Sequence, residues 1–416
     1  MYGRNSTRSN FGSRRSSFGN RPLSGSGPKR FSSSQQSNSR QRPARRQRGE
    51  NIDISKFIMR SVPMSQSGDY KAENLFRDFG FCPELQRNLD HRAYLAPTPI
   101  QDGAIKPIMQ GRDLIGLANT GTGKTAAFLL PLIEKIYNNK YQKTIIIAPT
   151  RELAIQIDNE FRKFANGMGI FSVVCVGGTP ISRQIQNLRR NYSFVIGTPG
   201  RLRDLSDRGL IRFSSFQNIV LDEVDRMLDM GFVEEITNIL NVLPPKRQAL
   251  FFSATLPIKI KNLVTQYLNN PVTVAVKTGD TAANILQDIV RVRDKSEKFD
   301  KLQDLLNQPE LTKVLIFTET KRDVEKLALD LSSHGHRAES IHGNKRQSQR
   351  ERSLTAFRNN SCKILVATDV AARGLDIGNI SHVINYTIPN TYDDYCHRIG
   401  RTGRGDKSGQ ALTFVE

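Results

Sequence analysis

Asn218-Ile219-Val220-Leu221-Asp222-Glu223-Val224-Asp225 is an apolar run closed by acids, and further up the chain Asp113-Leu114-Ile115-Gly116-Leu117 runs into Gly121-Thr122-Gly123-Lys124-Thr125. Each half has its own chemistry. A Gly-rich loop with Lys presents backbone N–H groups and a point charge to phosphates, and its Thr hydroxyl can ligate Mg²⁺. An acidic pair ending a second strand can hold that metal and a water. Together the two halves predict a nucleoside-triphosphate site on an α/β sheet; neither would carry that conclusion alone.

The loop departs from the strict G-x-x-x-x-G-K-[ST] pattern, because Ala118 stands where the first Gly is expected. The physical parts remain: Gly121 and Gly123 let the backbone approach phosphates, Lys124 can reach the β/γ oxygens, and Thr125 opens the helix running through Ala126-Ala127-Phe128-Leu129-Leu130. The candidate nucleotide loop is therefore Ala118, Asn119, Thr120, Gly121, Thr122, Gly123, Lys124 and Thr125.

From Asp113 onward, short β-branched runs alternate with amphipathic segments, the pattern of a parallel α/β sheet. Strands are expected at 113–117, 144–148, 171–176, 194–196, 218–221, 249–252 and 272–276. Leu153, Ile157, Phe161 and Phe164 lay one apolar stripe along a helix. Around Lys277-Thr278-Gly279-Asp280-Thr281 the pattern breaks and then restarts, with strands expected at 314–318, 337–341, 364–367, 382–386 and 411–415. The expected organisation is a tail over 1–50, a partly ordered lead-in over 51–73, a first domain over 74–276, a linker over 277–285 and a second domain over 286–416. Two such domains can open and close on a ligand at the strand carboxyl ends.

The formal charge is +21 over 416 residues, and twelve Lys/Arg with no Asp or Glu fall within residues 1–49, leaving an excess of nine on the rest. A basic body favours a polyanionic partner. The first segment is Ser, Arg, Gly, Asn and Gln with Tyr2, Phe11, Phe18 and Phe31 spaced through it; it has too little apolar area to fold and is expected to be a disordered basic tail. Arg interleaved with aromatics suits salt-sensitive contact with single-stranded nucleic acid, the alternative being a solubilising tether. No apolar stretch reaches membrane-spanning length, and the tail lacks a signal peptide's apolar core, although an acid-free Arg/Ser-rich start is also the composition of a transit peptide. Cys82, Cys175, Cys362 and Cys396 are far apart with no Cys-x-x-Cys, which indicates neither a disulfide framework nor a zinc site and suits a reducing, cytoplasmic location.

Across residues 76–404 the order and spacing of a dozen short motifs resemble the DEAD-box ATP-dependent RNA helicases, with Asp-Glu-Val-Asp at 222–225 in place of the family's Asp-Glu-Ala-Asp. The resemblance implies two tandem RecA-like domains, with ATP and Mg²⁺ as cofactors and RNA as partner. It further implies an adenine-reading segment at Ala93-Tyr94-Leu95-Ala96-Pro97-Thr98-Pro99-Ile100-Gln101, in which Gln101 pairs with the adenine edge and Tyr94 stacks on the base, while the upstream Phe76 falls where the family carries its isolated aromatic. Ala93 replaces the family's usual Gly, a departure expected to matter little, and Val224 is expected to tune packing only. Asp222 and Thr125 would hold Mg²⁺, and Glu223 would orient and deprotonate the attacking water.

By the same resemblance, Ser253 and Thr255 would touch Asp225 as a coupling element together with His397. Arg401 and Arg404 in Tyr395-Cys396-His397-Arg398-Ile399-Gly400-Arg401-Thr402-Gly403-Arg404 would be arginine fingers, while Gly374 and Asp376 would lie at the ribose. RNA contacts would come from Arg151, Gly178, Thr198 and Arg201 in the first domain and from Thr320, Gln349, Arg352 and Thr368 in the second. Hydrolysis would then depend on domain closure, because Lys124 and Arg401 come from different domains. An ATP-gated RNA clamp and a DNA-directed helicase are the competing readings. The chain stops at Glu416 directly after its last expected strand, where the family's second domain usually continues through another helix, so either the sequence is clipped or the domain is minimal. The compact body and basic tail look more like a bacterial member. The RNA target is not legible, since phosphate contacts position a chain without specifying its sequence.

Overall fold

Thr144-Ile145-Ile146-Ile147 is buried at every position, and this repeated insertion of β-branched residues between two covered faces is what builds the first sheet. The computed structural model describes residues 57–58, 70, 72–119, 121–276, 285–372, 377–403 and 408–416. The expected tail, most of the lead-in, Thr120, linker residues 277–284, Gly374, Asp376 and Arg404 lie outside the described residues.

Thirteen strands are described: β1 Leu114–Leu117, β2 Thr144–Ile147, β3 Ser172–Cys175, β4 Phe194–Gly197, β5 Asn218–Asp222, β6 Gln248–Ser253, β7 Val272–Ala275, β8 Ile285–Arg291, β9 Val314–Phe317, β10 Ala338–Ile341, β11 Ile364–Ala367, β12 His382–Asn385 and β13 Gly409–Val415. They form two wholly parallel sheets, ordered β3-β4-β2-β5-β6-β1-β7 and β10-β11-β9-β12-β13-β8. Successive residues serve opposite cores: Ile146 and Val220 face a cluster with Phe128, Phe161 and Phe164, while Ile145, Ile147, Ile219 and Leu221 face one with Phe213 and Phe216. The helix Arg151–Phe164 buries the expected stripe Leu153, Ile157, Phe161 and Phe164. Val224 is fully buried in the second of these clusters.

One strand was not anticipated. Ile285 was assigned to the linker, yet β8 starts there and pairs with β13 at the edge of the second sheet. Its sequence, Ile-Leu-Gln-Asp-Ile-Val-Arg, puts Gln287 on the inward face, where the Tyr395 hydroxyl donates to Gln287 Oε1 at 2.9 Å. A polar inward residue on an edge strand hides the alternation by which a strand is recognised.

The strand order divides the first sheet by function. β1, β6 and β5 are neighbours, so the loop after β1, Ser253 and Asp222 all emerge on one half of the carboxyl edge. β2, β4 and β3 form the other half, from which Arg151, Thr198 and Gly178 emerge. In open α/β sheets that edge is where ligands bind.

Candidate nucleotide and nucleic-acid site

The loop after β1 is held in shape from behind. Gln101 caps its own helix, Pro99–Met109, by accepting from the Thr98 N–H at 2.9 Å, and its amide donates to the Gly123 carbonyl at 3.1 Å. Thr98 Oγ1 donates to the Thr122 carbonyl at 2.8 Å, and Thr122 Oγ1 to the Asn119 carbonyl at 2.8 Å. Gly123 has φ +92°, and a Cβ there would lie 2.3 Å from Gln101 Nε2, so the contact requires glycine. Ala118 is not at a positive φ; its N–H donates to Ser253 O at 3.0 Å, which explains why alanine suffices. Ala93 is the reverse case: φ 55° places it in the left-handed region, so alanine is strained there and the departure is not neutral.

Phe76 is 1% exposed, its ring centroid 6.1 Å from Phe79 and 5.6 Å from Tyr94, and Tyr94 packs edge-on to Phe164 at 5.6 Å. In this arrangement Phe76 is enclosed by its neighbours, while Tyr94 stays partly exposed.

Lys124 is buried and its Nζ donates to the Ala118 carbonyl at 2.9 Å. Its charge reaches Asp222, Glu223 and Asp225. Burial pushes the Asp222 carboxyl up to about 7 against the pull of Lys124, with Glu223 and Asp225 adding to the rise. Arg226 and Arg401 act on Glu223, so Asp222 is the least compensated of the three carboxylates, and its oxygens are the hard donors a dication takes. Among the described residues no group of three His, Cys, Asp or Glu side chains is placed to hold a metal ion.

Glu223 also takes a left-handed backbone (φ 54°) at the start of the helix Val224–Asp229, a costly conformation that aims its side chain. Burial would raise its carboxyl, but the charges of Arg226, Lys124 and Arg401 outweigh this and hold it below the usual carboxylate range. Arg226, 2% exposed, donates Nη1 to Glu223 Oε2 at 2.5 Å, while its Nη2 is buried without a hydrogen-bond partner. Asp225 Oδ2 accepts from the N–H groups of Ala254 and Thr255 at 2.9 and 3.0 Å and from Thr255 Oγ1 at 3.3 Å, and Ser253 Oγ accepts from the Asp225 N–H at 3.4 Å. The ends of β5 and β6 are thereby tied together.

From the second domain, Arg401 is 3% exposed, with Nε donating to the His397 carbonyl at 3.2 Å, and its charge acts on Glu223. The structure thus brings Lys124, Asp222, Glu223, Asp225 and Arg401 into one electrostatic unit drawn from both sheets.

On the other half of the carboxyl edge a cleft of about 470 Å³ is lined from both sheets by Arg151, Thr198, Arg201 and Arg350. Burial and the charges of Arg350 and Arg201 lower the Arg151 pKa, with Glu152 opposing them, and Arg201 Nη1 is buried without a hydrogen-bond partner. Arg151 lies over Gly178, where φ is +76° and a Cβ would sit 2.2 Å from Arg151 Nη1.

Of the helix 347–358, it is Arg350 that lines this cleft, not the expected Gln349 and Arg352. Gln349 accepts from the Arg346 N–H at 3.0 Å as the cap of its own helix, Gln347–Arg358, and Arg352 is exposed. Gln347 and Arg350 face the first domain instead, donating to Glu152 Oε1 at 3.3 and 2.8 Å. Both pairs have the same spacing; only the inward-facing Leu354 and Phe357 on the same helix reveal which register turns inward. Thr320 caps the helix Lys321–Ser333 through the Asp323 N–H at 3.2 Å, and Thr368 is 8% exposed beside Asp369. Asp369 is engaged by Arg398 through Nε and Nη2 at 2.6 and 2.7 Å.

Comparison with known proteins agrees with this geometry. A DEAD/DEAH box helicase family model matches residues 98–263, and a helicase conserved C-terminal domain model matches residues 297–406. The chain is 44% identical over 344 residues to an ATP-dependent RNA helicase CshA of Limosilactobacillus reuteri, spanning 82% of this chain and 69% of that protein. To the protein of the same description from Listeria monocytogenes it is 44% identical over 345 residues, spanning 82% of this chain and 66% of that one. Among solved structures, Dbp5 of S. cerevisiae bound to RNA and ADP BeF3 matches with a TM-score of 0.73 and 31% identity over 82% of this chain and 89% of that one. Mss116p bound to ssRNA and AMP-PNP matches with a TM-score of 0.73 and 29% identity over 82% and 73%. With both family models matched in order and 44% identity to these relatives over most of the chain, the chain belongs to the DEAD-box helicase family, with two RecA-like domains.

Proposed function

We propose that this chain is an ATP-dependent RNA helicase that grips single-stranded RNA across the two domains and locally opens short duplexes, coupled to Mg²⁺-dependent ATP hydrolysis. The observation that carries it is the cleft shared by the two domains, lined by Arg151, Thr198 and Arg201 of the first and Arg350 of the second, with the charge of Arg401 also acting on Glu223. An ATP site completed only by both domains links hydrolysis to whatever holds the domains together, and the Arg-lined cleft beside it is shaped for a phosphate backbone.

In this mechanism the loop amides of Gly121 and Gly123 and the Lys124 ammonium bind the β- and γ-phosphates. Asp222 and Thr125 would hold Mg²⁺, which supplies Lewis-acid neutralisation of phosphate charge when bound. Glu223, ionised and aimed by its strained backbone, orients the attacking water and accepts its proton. Arg401 offsets charge on the transferring phosphoryl group, a contribution on the order of 10³–10⁵ in rate for such fingers. Asp225 carries the state of this site to β6 through Ser253 and Thr255. Arg151, Arg201 and Arg350 bind consecutive phosphates, with Thr198 and Thr368 as neutral donors. Bound RNA favours the facing arrangement of the domains, and loss of phosphate releases it. Among the described residues no helix is long and apolar enough to cross a membrane, and the bacterial relatives support a cytoplasmic location.

The test is ATP hydrolysis by the purified chain alone, with single-stranded RNA, and with DNA of the same sequence, followed by strand displacement on short duplexes. Stimulation by RNA with displacement is expected; equal stimulation by DNA, or none, overturns the proposal.

A further inference from the structure

Phe57 precedes the first domain in sequence, yet it is fully buried in the second. It clusters with Ile285 of β8, Ala411 of β13, and Tyr395 and Ile399 of the helix Tyr392–Ile399. Its ring lies 4.7 Å from that of Tyr395, centroid to centroid, at 60°. Tyr395 is fixed at its far end by the hydrogen bond to Gln287. Phe57 therefore packs on two residues one turn apart, the pair that sets where this helix lies. The same helix carries His397, and Arg401 follows its end, with Nε returning to the His397 carbonyl. Further along the lead-in, the Tyr70 hydroxyl donates to Asp102 Oδ2 at 2.5 Å, and Asp102 also accepts from the Glu73 N–H and Asn74 Nδ2 at 2.8 and 2.6 Å. Phe57 and Tyr70 are thus seated beside the two halves of the nucleotide site: Tyr70 next to Gln101 in the first domain, and Phe57 behind the arginine helix in the second.

We propose that Phe57 is a positioning residue for Arg401: the N-terminal lead-in completes the second domain's core behind the helix that delivers the arginine, and Arg401 meets Glu223 in the correct place while Phe57 is docked. This rests on the assignment of Arg401 to ATP hydrolysis. The helix has eight residues, too few to hold its own direction in water, so its packing decides where it points. Removing the Phe57 ring opens a space under Tyr395 and Ile399 into which the helix can tilt, and a displacement of about 1 Å at a reacting group can cost on the order of 10² in rate.

The experiment measures RNA-stimulated ATP turnover of the full chain for Phe57→Ala and Phe57→Leu, titrating ATP and RNA separately, and repeats Phe57→Ala in an Arg401→Ala background. The expected result for Phe57→Ala is a fall in kcat of about tenfold or more with KM for ATP within about twofold, since Lys124 and Gln101 belong to the other domain. Phe57→Leu, which refills most of the space, should recover most of the loss. In the Arg401→Ala background, Phe57→Ala should change the residual rate by less than about twofold, because the group it positions is gone. Faster amide hydrogen exchange in residues 392–399 of Phe57→Ala should accompany the loss. An unchanged kcat, or the same fractional loss in both backgrounds, overturns the proposal, the second by reducing Phe57 to general stability. An unmodified chain that RNA does not stimulate removes the functional assignment and this inference with it, whereas a stimulated chain indifferent to Phe57→Ala overturns this inference alone.

Discussion

Glu152→Gln is the substitution that asks most directly whether the two domains work face to face. Glu152 Oε1 accepts from Arg350 Nε at 2.8 Å and from Gln347 Nε2 at 3.3 Å, with side-chain exposures of only 6% for Glu152 and 11% for Arg350. At that separation and an effective dielectric of about 20, the gross attraction is roughly 6 kcal/mol, most of it offset by desolvation. Neutralising one partner is costlier than the net value of the pair, because Arg350 stays buried beside Arg151 without its counter-charge; about 3–5 kcal/mol is the usual scale. Those contacts exist only while the domains face each other, so the cost falls on that arrangement and lowers its population about 10²–10⁴-fold. The assay is ATP turnover against RNA concentration beside nucleotide affinity without RNA. Turnover at sub-saturating RNA should fall by about that factor, while nucleotide affinity without RNA stays within about twofold. Saturating RNA should restore part of the loss, since phosphate replaces the missing negative charge near Arg151 and Arg350. Glu152→Gln combined with Arg350→Gln should be less impaired than the two single effects summed, as expected for a pair. Turnover within about twofold of the unmodified chain at every RNA concentration would refute the reasoning.

Glu223→Gln should lower turnover by about 10²–10⁴ while retaining nucleotide and RNA binding, since the amide oxygen can take the place of Glu223 Oε2 as acceptor for Arg226; normal turnover removes Glu223 from the mechanism. Gly178→Ala places a Cβ where Arg151 Nη1 lies and should weaken RNA binding by about tenfold in fluorescence anisotropy with nucleotide affinity unchanged. Ala93→Gly relieves a left-handed alanine and should raise stability by roughly 0.5–1 kcal/mol in a denaturant titration; a loss instead would show that the strain is not felt. His382 is 4% exposed and burial lowers its pKa, with Gln410 partly opposing. The unfolded chain therefore takes the proton first, so stability should fall as pH drops from the ordinary value of 6.5 toward the folded value, and His382→Gln should flatten that slope in melting temperature between about pH 7.5 and 5.5.

The nucleotide loop and the acidic strand were legible because their chemistry is local: Gly, Lys, Thr and paired acids within a few residues each admit few interpretations. Contacts made across long sequence separations were not. Gln347 with Arg350 and Gln349 with Arg352 satisfy one spacing in two registers, and choosing between them requires weighing where Leu354 and Phe357 point before reading the polar residues. β8 escaped because Gln287, a polar residue, faces inward to meet Tyr395, and nothing local announces a partner more than a hundred positions away. Phe57 escaped for a stronger reason. A lone aromatic in a polar lead-in is indistinguishable by sequence from its solvated neighbours until the pocket between β8, β13 and the arginine helix exists.

Why the two ligands should be coupled follows from where the sheet puts them. β5 and β2 are adjacent strands, yet the end of β5 carries the nucleotide carboxylates and the end of β2 leads into Arg151 and Glu152. A charge change at Asp222 and Glu223 is thus one strand spacing, about 5 Å, from the element that meets the second domain. On the facing side, Arg350 donates directly to Glu152, and the charge of Arg401 acts on Glu223. Interactions at two separated places restrict how one domain can pivot on the other more than a single one would. Losing either point therefore degrades the geometry at the other: RNA that strengthens the Arg350 side brings Arg401 into place, and nucleotide that engages Arg401 completes the RNA cleft. That reciprocity is a thermodynamic necessity once both ligands prefer the same arrangement.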